Sequence, residues 1–374
     1  MKKSIMGKIH RITESEKKLI NIMGSLPETS PRELLNYTTY KWVSTVVRKL
    51  ENLKERDIIW GPYYAVDYGK LCRNPLDILV CIIESNRSYE EVISYLSLIE
   101  PLKWIYPVMS SYKKLLHVGF ISSNNTEMKS ILDLLEENDI ISDYVARPCR
   151  YKWILENPDF FGDPNPSLGG LLAPCEPPDI SPGCHDTDWN ESDIRILPYL
   201  QVGYKGAKLV EILRAEKRLK SREWTYEQVK YSREKMSKTG LIEKRYSVSP
   251  FPRNECAHFV LFLKSRSISL TQIMMHNFVR EERVYKEYTL CDEWGMLILQ
   301  SHPVFLTNLM HKLDEIDQIE EKELYQLRSY PTKYFFKQSL EDKYYNFEEQ
   351  TLKYPHDMYK ERIEKKLESN DSIL

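Results

Sequence analysis

The feature that most constrains the fold is an internal repeat. The segment 13–20 (TESEKKLI) has a counterpart at 190–197 (NESDIRIL), an offset of 177 residues. Each segment begins with a residue that caps helices, continues with acidic residues that favour a first helical turn, and then shows apolar residues at helical spacing. A period this long is typical of duplicated domains rather than of a stacked solenoid. The chain is therefore expected to contain two copies of one larger unit.

Each copy continues with a pattern typical of a winged helix-turn-helix domain. Apolar residues at spacings of three and four predict a further helix, which carries Val46 in copy one and Val229 in copy two. A turn and a short β-like stretch follow, at 58–66 and at 241–248. The predicted order is helix, helix, helix, wing. The offset between the copies grows from 177 to 186 residues, which implies an insertion of about nine residues near 206–222.

After each wing the apolar pattern follows the order βαββαβ, the arrangement of ferredoxin-like domains. In copy one the predicted strands are 76–83, 102–108, 115–122 and 140–146, with helices around Val92 and at 126–137. In copy two they are 256–263, 283–290, 295–300 and 318–327, with helices around Met274 and at 303–314. The predicted fold class is therefore α+β, with two winged helix-turn-helix domains alternating with two ferredoxin-like domains.

These patterns predict a division of the chain into six parts. The winged helices are expected at 1–68 and 190–252 and the ferredoxin-like sensor domains at 69–150 and 253–328, with a proline-rich linker at 151–189 and a charged, aromatic, helical tail at 329–374. In the linker, repeated proline excludes regular helix. Cys175, Cys184 and His185 are weak candidates for a metal site, because a C-x8-C-H spacing matches no compact zinc knuckle. Free thiols are favoured there, and no cofactor is predicted.

Composition excludes several classes of protein. A chain of 374 residues is long enough for two to four domains, and it has no apolar run near the roughly 18 to 20 residues of a membrane helix. The first residues lack the apolar stretch of a secretory signal, so the protein is expected to be cytoplasmic. Seven scattered cysteines favour reduced thiols over a disulfide framework. A formal charge of -2 leaves nucleic-acid binding open.

The domain order resembles that of the Lrp/AsnC (feast/famine) transcription regulators of archaeal type, in which a winged helix precedes a ferredoxin-like RAM domain. The resemblance covers 12–147 and 190–327. Its strongest local match is the helix-to-wing passage VVRKLENLKERDII at 46–59, in which Asp57 stands where the family has glycine; copy two keeps Gly240. The resemblance implies that one chain acts as a pseudo-dimer with two unlike reading heads. It also implies double-stranded DNA as partner, with a small-molecule effector and homo-oligomers through the sensor domains left open.

The second helix of a helix-turn-helix pair presents its exposed N-terminal residues to the major groove. In copy one this helix is predicted to begin near Thr39, with Val43, Val46, Val47 and Leu50 facing inward. In copy two, 205–245 contains thirteen Lys or Arg against six Glu, and the helix is predicted to begin near Thr225. Gln228 could read adenine and Arg48 guanine. The candidate DNA-binding residues are Thr39, Tyr40, Lys41, Ser44, Thr45, Arg48, Lys49, Lys217, Arg218, Lys220, Arg222, Tyr226, Gln228, Lys230 and Tyr231.

Two other functions remain alternatives to a sequence-specific regulator. A sensor or scaffold could use the winged helices for protein contacts, because copy one lacks a full set of basic residues. The siroheme decarboxylases resemble these regulators and would need basic and histidine side chains converging on a tetrapyrrole. The histidines at 117, 258, 276, 302 and 311 show no recognisable catalytic spacing, and no nucleotide-binding, nucleophile-elbow or zinc-protease motif occurs. The chain is therefore predicted not to be an enzyme.

Overall fold

The computed structural model describes residues 12–202, 208–218, 224–328, 336–337 and 340–371. In chain order, the first copy comprises α1 (Glu14–Ser25), a 3-10 helix (Glu33–Tyr37), α2 (Val43–Glu55), β1 (Ile59–Val66), α3 (Tyr68–Leu71), β2 (Asp77–Ser85), α4 (Tyr89–Leu96), β3 (Leu102–Val108), β4 (Lys114–Ser122), α5 (Asn125–Glu137), β5 (Asp143–Cys149) and β6 (Ile154–Glu156). The second copy comprises α6 (Glu191–Val202), α7 (Leu209–Arg218), α8 (Tyr226–Lys238), β7 (Ile242–Val248), β8 (Ala257–Ser265), α9 (Ile268–Asn277), β9 (Tyr285–Cys291), β10 (Trp294–Ser301), α10 (Pro303–Asp314) and β11 (Ile319–Gln326). The tail adds β12 (Phe336–Lys337), β13 (Tyr345–Asn346), β14 (Thr351–Leu352) and α11 (His356–Asp371). The predicted α+β class and the duplicated domain order are confirmed.

Each of the two helical units contains an ion pair at the same place, and this similarity supports the duplication. In α1 a capping box formed by Thr13 and Glu16 fixes the first turn, and the buried Glu16 carboxylate accepts from Lys49 of α2 at 2.9 Å. At the equivalent place in copy two, buried Asp193 of α6 accepts from Lys235 of α8 at 2.7 Å. A buried carboxylate needs a charged partner. Both pairs therefore join the first helix of the unit to the third.

The predicted wings correspond to single strands that pair with each other. β1 runs antiparallel to β7, with Ile59 opposite Val248 and Val66 opposite Ile242. Each helical unit thus contributes one strand to a shared two-stranded ribbon, and this differs from the prediction of a separate wing in each copy. Local periodicity predicts a strand but not its partner, because the two strands lie about 180 residues apart in the chain.

Each βαββαβ segment forms the expected ferredoxin-like sheet, and each sheet gains a strand from the other copy. The first sheet has the order β12-β3-β4-β2-β5 and the second the order β11-β8-β10-β9-β6. β6, which follows the first sheet in sequence, pairs with β9 of the second, and β12, which follows the second sheet, pairs with β3 of the first. The segment after each sensor domain therefore crosses to complete the other sheet.

The inner faces of the two sheets pack on each other. Val80 and Ile82 of the first sheet share a buried cluster with Val260, Phe262 and Met296 of the second. Helices α4 and α5 cover the outer face of the first sheet, and α9 and α10 cover that of the second. Burial of apolar surface stabilises this arrangement by about 25 cal/mol per Å². The two copies therefore share a buried cluster between their sheets and are joined by more than the linker.

One sequence expectation about the cysteines is wrong. The expectation of reduced thiols fails at Cys149 and Cys291, which form a disulfide between β5 and β9. In the tail, α11 extends to Asp371 and buries Ile363 completely. Helix α11 packs against α5, and Lys343, Tyr344 and Arg362 all donate to Glu100. The described residues include no helix that is long and apolar enough to cross a membrane.

Candidate functional site

A cavity of about 1050 Å³ lies where the β1–β7 ribbon meets the two sensor sheets. Its walls are the ribbon, the crossing segment 149–154, and inward-facing residues of both sheets. Ligand sites commonly have volumes of roughly 300 to 1,000 Å³. The cavity is therefore large enough for an extended organic ligand, and both copies contribute to it.

Aromatic rings form much of the cavity wall. Trp104 and Trp153 meet edge to face with centroids 6.1 Å apart, and Tyr106 and Trp60 lie nearby on the wall. Trp104 lies directly over Gly119, where an added Cβ would come within 2.4 Å of the indole ring. The absence of a side chain at Gly119 is therefore what lets Trp104 lie flat on the sheet. Such rings favour a flat, partly apolar ligand.

Positive charge outnumbers negative charge around the cavity. Among the residues that the structure describes, six basic ones line it against three carboxylates, those of residues 67, 243 and 287. Two of the basic residues have a carboxylate partner in the wall itself: Lys152 with Asp67 at 3.3 Å and Arg245 with Glu243 at 2.8 Å. The basic residues are Lys103, Arg150, Lys152, Arg245, Arg253 and Arg328. Arginine and lysine in a partly enclosed cavity bind carboxylate or phosphate groups.

A polar pair is present on the second sheet and missing from the first. His258 lies opposite Gln300 in the β8–β10 pairing, and both line the cavity. The corresponding register positions of the first sheet are Ile78 and Ile121. Burial, with a smaller contribution from the charge of Arg253, lowers the pKa of His258 to about 4, so its imidazole is neutral near pH 7. The Gln300 Oε1 atom is buried and has no hydrogen-bond partner within the described part of the chain.

Hydrogen bonds connect the ribbon to the second sheet at the cavity wall. The Tyr63 and Ser247 hydroxyls lie 3.2 Å apart, Ser247 lies 3.4 Å from the Tyr285 hydroxyl, and Tyr285 donates to Glu287 at 3.2 Å. Burial, together with the nearby Glu287 carboxylate, raises the pKa of both tyrosines, so they remain protonated donors. The network holds the Glu287 carboxylate facing the cavity.

The cavity was missed because its residues come from segments distant in sequence. The sequence did contain one signal, since His258 occupies an inward position of a predicted strand where an apolar residue is expected. A second signal lay in Arg150 and Lys152, which follow a predicted strand at the start of the linker. Neither signal indicates which residues face each other. The ribbon that closes the cavity depends on a pairing that sequence periodicity does not reveal.

On α2 the structure places only part of the predicted DNA-reading face in solvent. The helix begins at Val43 rather than near Thr39, and Val43 and Val47 are exposed rather than inward-facing. Lys41, Ser44 and Arg48 are exposed, and Thr45 is half-buried. Three other candidates contact other parts of the chain: the hydroxyl of the exposed Thr39 lies 2.6 Å from that of Ser15, Tyr40 packs on the core of the helical unit, and Lys49 pairs with Glu16.

On copy two, α8 begins at Tyr226 with Thr225 as its N-cap, as predicted. Gln228 forms the capping box with Thr225, so its amide oxygen accepts from the backbone of the cap rather than facing a base. Lys230 lies 4.0 Å from Glu227, and Tyr226 and Tyr231 are exposed. Lys217 and Arg218 are exposed at the end of α7, whereas Lys220 and Arg222 lie outside the described residues.

The weak metal candidates do not form a site. Cys175 is a half-buried free thiol, Cys184 is an exposed one, and His185 follows it in the linker. Within the ranges that the structure describes, no three His, Cys, Asp or Glu side chains converge as metal ligands require.

Comparison with known proteins shows similarity at the level of fold. No protein-family model matches the sequence, and no curated protein matches it significantly. The structure is similar to that of the siroheme decarboxylase NirDL, with a TM-score of 0.50 and 14% identity, over 95% of this chain and 98% of that one. The NirDL complex with an iron-uroporphyrin III analogue matches with a TM-score of 0.46 and 14% identity, over 88% and 90% of the two chains. A transcriptional regulator of the AsnC family from Pyrococcus furiosus covers 37% of this chain and 89% of its own, with 15% identity and a TM-score of 0.25.

These findings confirm one prediction and correct another. The tandem architecture of two helical units and two ferredoxin-like sheets is confirmed as a fold. The prediction that the chain is not an enzyme is wrong as made, because a solved structure with this architecture over 95% of this chain, that of NirDL, belongs to an enzyme. The prediction relied on the absence of familiar motifs, and a site assembled from distant strands needs no such motif.

Proposed function

We propose that this protein is an enzyme that binds a tetrapyrrole polycarboxylate in the central cavity and removes CO₂ from it, as the name of its structural relative describes for siroheme. The observation that carries the proposal is the cavity itself, whose described walls contain both aromatic rings and six basic residues. A tetrapyrrole has a flat apolar ring system with carboxylates at its edge, and this cavity offers complementary groups for both features.

Two of the basic residues are candidates for binding the substrate without taking part in the reaction. Lys103 and Arg328 would bind the substrate carboxylates that stay on the product. Lys103 donates to the Tyr68 hydroxyl at 3.1 Å, and the Arg328 guanidinium lies 4.9 Å from the centre of the Tyr89 ring. A carboxylate that leaves as CO₂ must lose its negative charge to the remaining carbon. It reacts best away from a cation, since an ion pair would stabilise the substrate more than the transition state.

His258 is the proposed proton donor. Loss of CO₂ leaves an electron pair on carbon, which must take up one proton for each carboxylate removed. The neutral imidazole gains a proton more readily when a substrate carboxylate enters, because a nearby negative charge raises the pKa of a histidine. Gln300 lies beside it and can orient either the imidazole or the substrate.

Binding and turnover of siroheme by the purified full chain test this proposal. Siroheme should quench the fluorescence of the cavity tryptophans at a one-to-one ratio, and the product should lose the mass of CO₂. Arg328→Met should weaken binding about ten- to hundredfold, as expected for loss of a charge-assisted hydrogen bond. Arg266→Met, at an exposed site outside the cavity, is the matched control.

A histidine variant separates chemistry from binding. His258→Asn should keep siroheme affinity within about threefold and lower turnover roughly a hundredfold or more, as expected for loss of a general acid. If siroheme neither quenches the tryptophans nor loses CO₂, the proposed function is refuted. Equal turnover in the wild type and His258→Asn would refute the role of His258 alone.

Sequence-specific DNA binding is the second candidate, and one observation favours it. Ser44 and Arg48 of α2 are exposed and lie four residues apart, so they share one face of the helix, and the exposed Lys41 lies just before its N-cap, Trp42. In copy two, Tyr226, Lys230 and Tyr231 would supply the second reading head. A small-molecule effector and association through the sensor sheets belong to this same hypothesis.

An electrophoretic shift with genomic fragments at varied salt tests DNA binding. A specific complex that weakens with salt is expected, because phosphate contacts release counterions. The double variant Arg48→Ala with Lys230→Ala should abolish the shift, while Arg328→Met should preserve it. If the protein binds siroheme but retards no DNA fragment at low salt, sequence-specific DNA binding is excluded and the enzyme proposal is unaffected.

A further inference from the structure

The disulfide between Cys149 and Cys291 forms part of the cavity wall. It joins the end of β5 in the first sheet to the end of β9 in the second, across 142 residues of sequence. Both cysteines are almost fully inaccessible from bulk solvent, at 2% and 0% exposure. Cys149 lines the cavity, whereas Cys291 does not. The cavity is therefore the route along which a small molecule can approach this bond.

The bond lies at the start of the segment that crosses between the sheets. Residues 149 to 154 all line the cavity, and after them β6 pairs with the second sheet. Arg150 binds Asp77 at 2.9 Å, and the Thr289 hydroxyl donates to the Tyr151 carbonyl at 3.3 Å. The disulfide adds a covalent link from this wall to β9. Its reduction removes that link and leaves the wall held by non-covalent contacts.

We propose that Cys149–Cys291 is a thiol-exchange site inside the cavity, through which small-molecule thiols control ligand affinity. A thiolate of the reductant attacks the Cys149 Sγ atom, forms a mixed disulfide, and releases Cys291 as a thiolate that takes up a proton. A second thiol then attacks the mixed disulfide. Two thiols become one oxidised disulfide, and Cys149 and Cys291 become thiols. The ligand assumed for the affinity measurement rests on the proposed function, but the exchange reaction does not.

Burial makes this exchange selective for the size of the reductant. Because both cysteines are almost inaccessible from bulk solvent, a tripeptide thiol small enough for a cavity of about 1050 Å³ should reach the bond faster than a protein dithiol. Cys256 also lines the cavity, and burial raises the pKa of its thiol to about 12, so it stays protonated and does not compete in exchange. An occupied cavity should block the approach. Ligand binding and thiol exchange are therefore expected to exclude each other.

Exchange is tested on the folded full-length protein by alkylation and mass spectrometry. Glutathione should open the disulfide without denaturant, and thioredoxin, at equal reducing strength, should open it at least tenfold more slowly. Buried Cys72 and Cys81 are the internal controls, because they should stay unlabelled as long as the protein remains folded. Failure to detect the linked peptides, or an equal rate with thioredoxin, would overturn the proposal.

The coupling to ligand is tested with uroporphyrin III as probe. A saturating amount should slow glutathione reduction about tenfold or more, and the reduced protein should bind uroporphyrin about tenfold more weakly. The double variant Cys149→Ala with Cys291→Ala should match the reduced wild type; if it fails to fold, the reduced wild type alone decides. If reduction of the disulfide leaves the affinity for uroporphyrin III unchanged, the proposal that the disulfide controls ligand affinity is refuted. Absence of uroporphyrin binding in the oxidised protein would count against the proposed function, and glutathione selectivity would still stand.

Discussion

Replacing His117 with methionine should make the protein markedly less sensitive to acid. His117 is completely buried between Trp104 and Tyr106, with ring centroids 5.7 and 6.2 Å away, and neither ring nitrogen has a hydrogen-bond partner within the described residues. Burial lowers its pKa to about 3 from the ordinary value of 6.5. Met296 occupies the corresponding register position in the second sheet. His117→Met therefore removes a titrating group and keeps an apolar side chain that this fold already carries there.

The sign and size of the effect follow from proton linkage. A histidine whose folded pKa is depressed contributes stability above the unfolded pKa of 6.5, and that stability is lost as pH falls towards 3. At pH 4.5 the unfolded chain binds the proton and the folded protein does not. Each pKa unit corresponds to about 1.36 kcal/mol, so His117 alone should lower the free energy of unfolding by about 2.5 kcal/mol between pH 7 and pH 4.5.

Urea unfolding at both pH values, followed by tryptophan fluorescence, measures this difference. The wild type should lose about 2.5 kcal/mol more than His117→Met on acidification. Other titrating groups, including His258, are present in both proteins and cancel in the comparison. If the two proteins lose the same free energy to within about 0.5 kcal/mol, His117 is not held neutral and the reasoning is wrong.

Three further substitutions test the packing that surrounds the site. Burial alone would raise the pKa of Glu100, but hydrogen bonds from the C-terminal tail lower it to about 2. The stability that this carboxylate contributes is therefore lost as pH falls from 4.5 towards 2. The protection of α11 amides from hydrogen exchange should fall over that pH range in the wild type and should not depend on it in Glu100→Gln. Gly119→Ala should force Trp104 to move and cost about 1 to 3 kcal/mol in thermal unfolding, whereas Gly170→Ala, with open space around it, should change little. Lys286→Met should cost about 3 to 5 kcal/mol in urea unfolding, because the buried ammonium group bonds three helix-terminal carbonyls and a carboxylate. Unchanged stability in Gly119→Ala or Lys286→Met, or an unchanged pH dependence in Glu100→Gln, would contradict the packing described for that residue.

Much of the fold could be predicted because its signals are local. The helix caps at Thr13 and Thr225 and the period-two strands depend on residues a few positions apart, and the predicted bounds of β3 and α10 coincide with those observed. The predicted DNA face was less accurate. Helix periodicity alone predicted that Val43 and Val47 face inward, whereas the buried side of α2 is that of Val46 and Leu53.

Local signals were enough to predict the duplication, the order of helices and strands, and the ferredoxin-like unit in each copy, because periodicity and capping act within one element. The pairing of β1 with β7, the strand that each copy adds to the other's sheet, and the contact of Cys149 with Cys291 depend on tertiary packing. These partners lie more than a hundred residues apart, and their contacts form only when both sheets pack together. The cationic cavity is a product of that packing, and this is why no motif in the sequence predicts it.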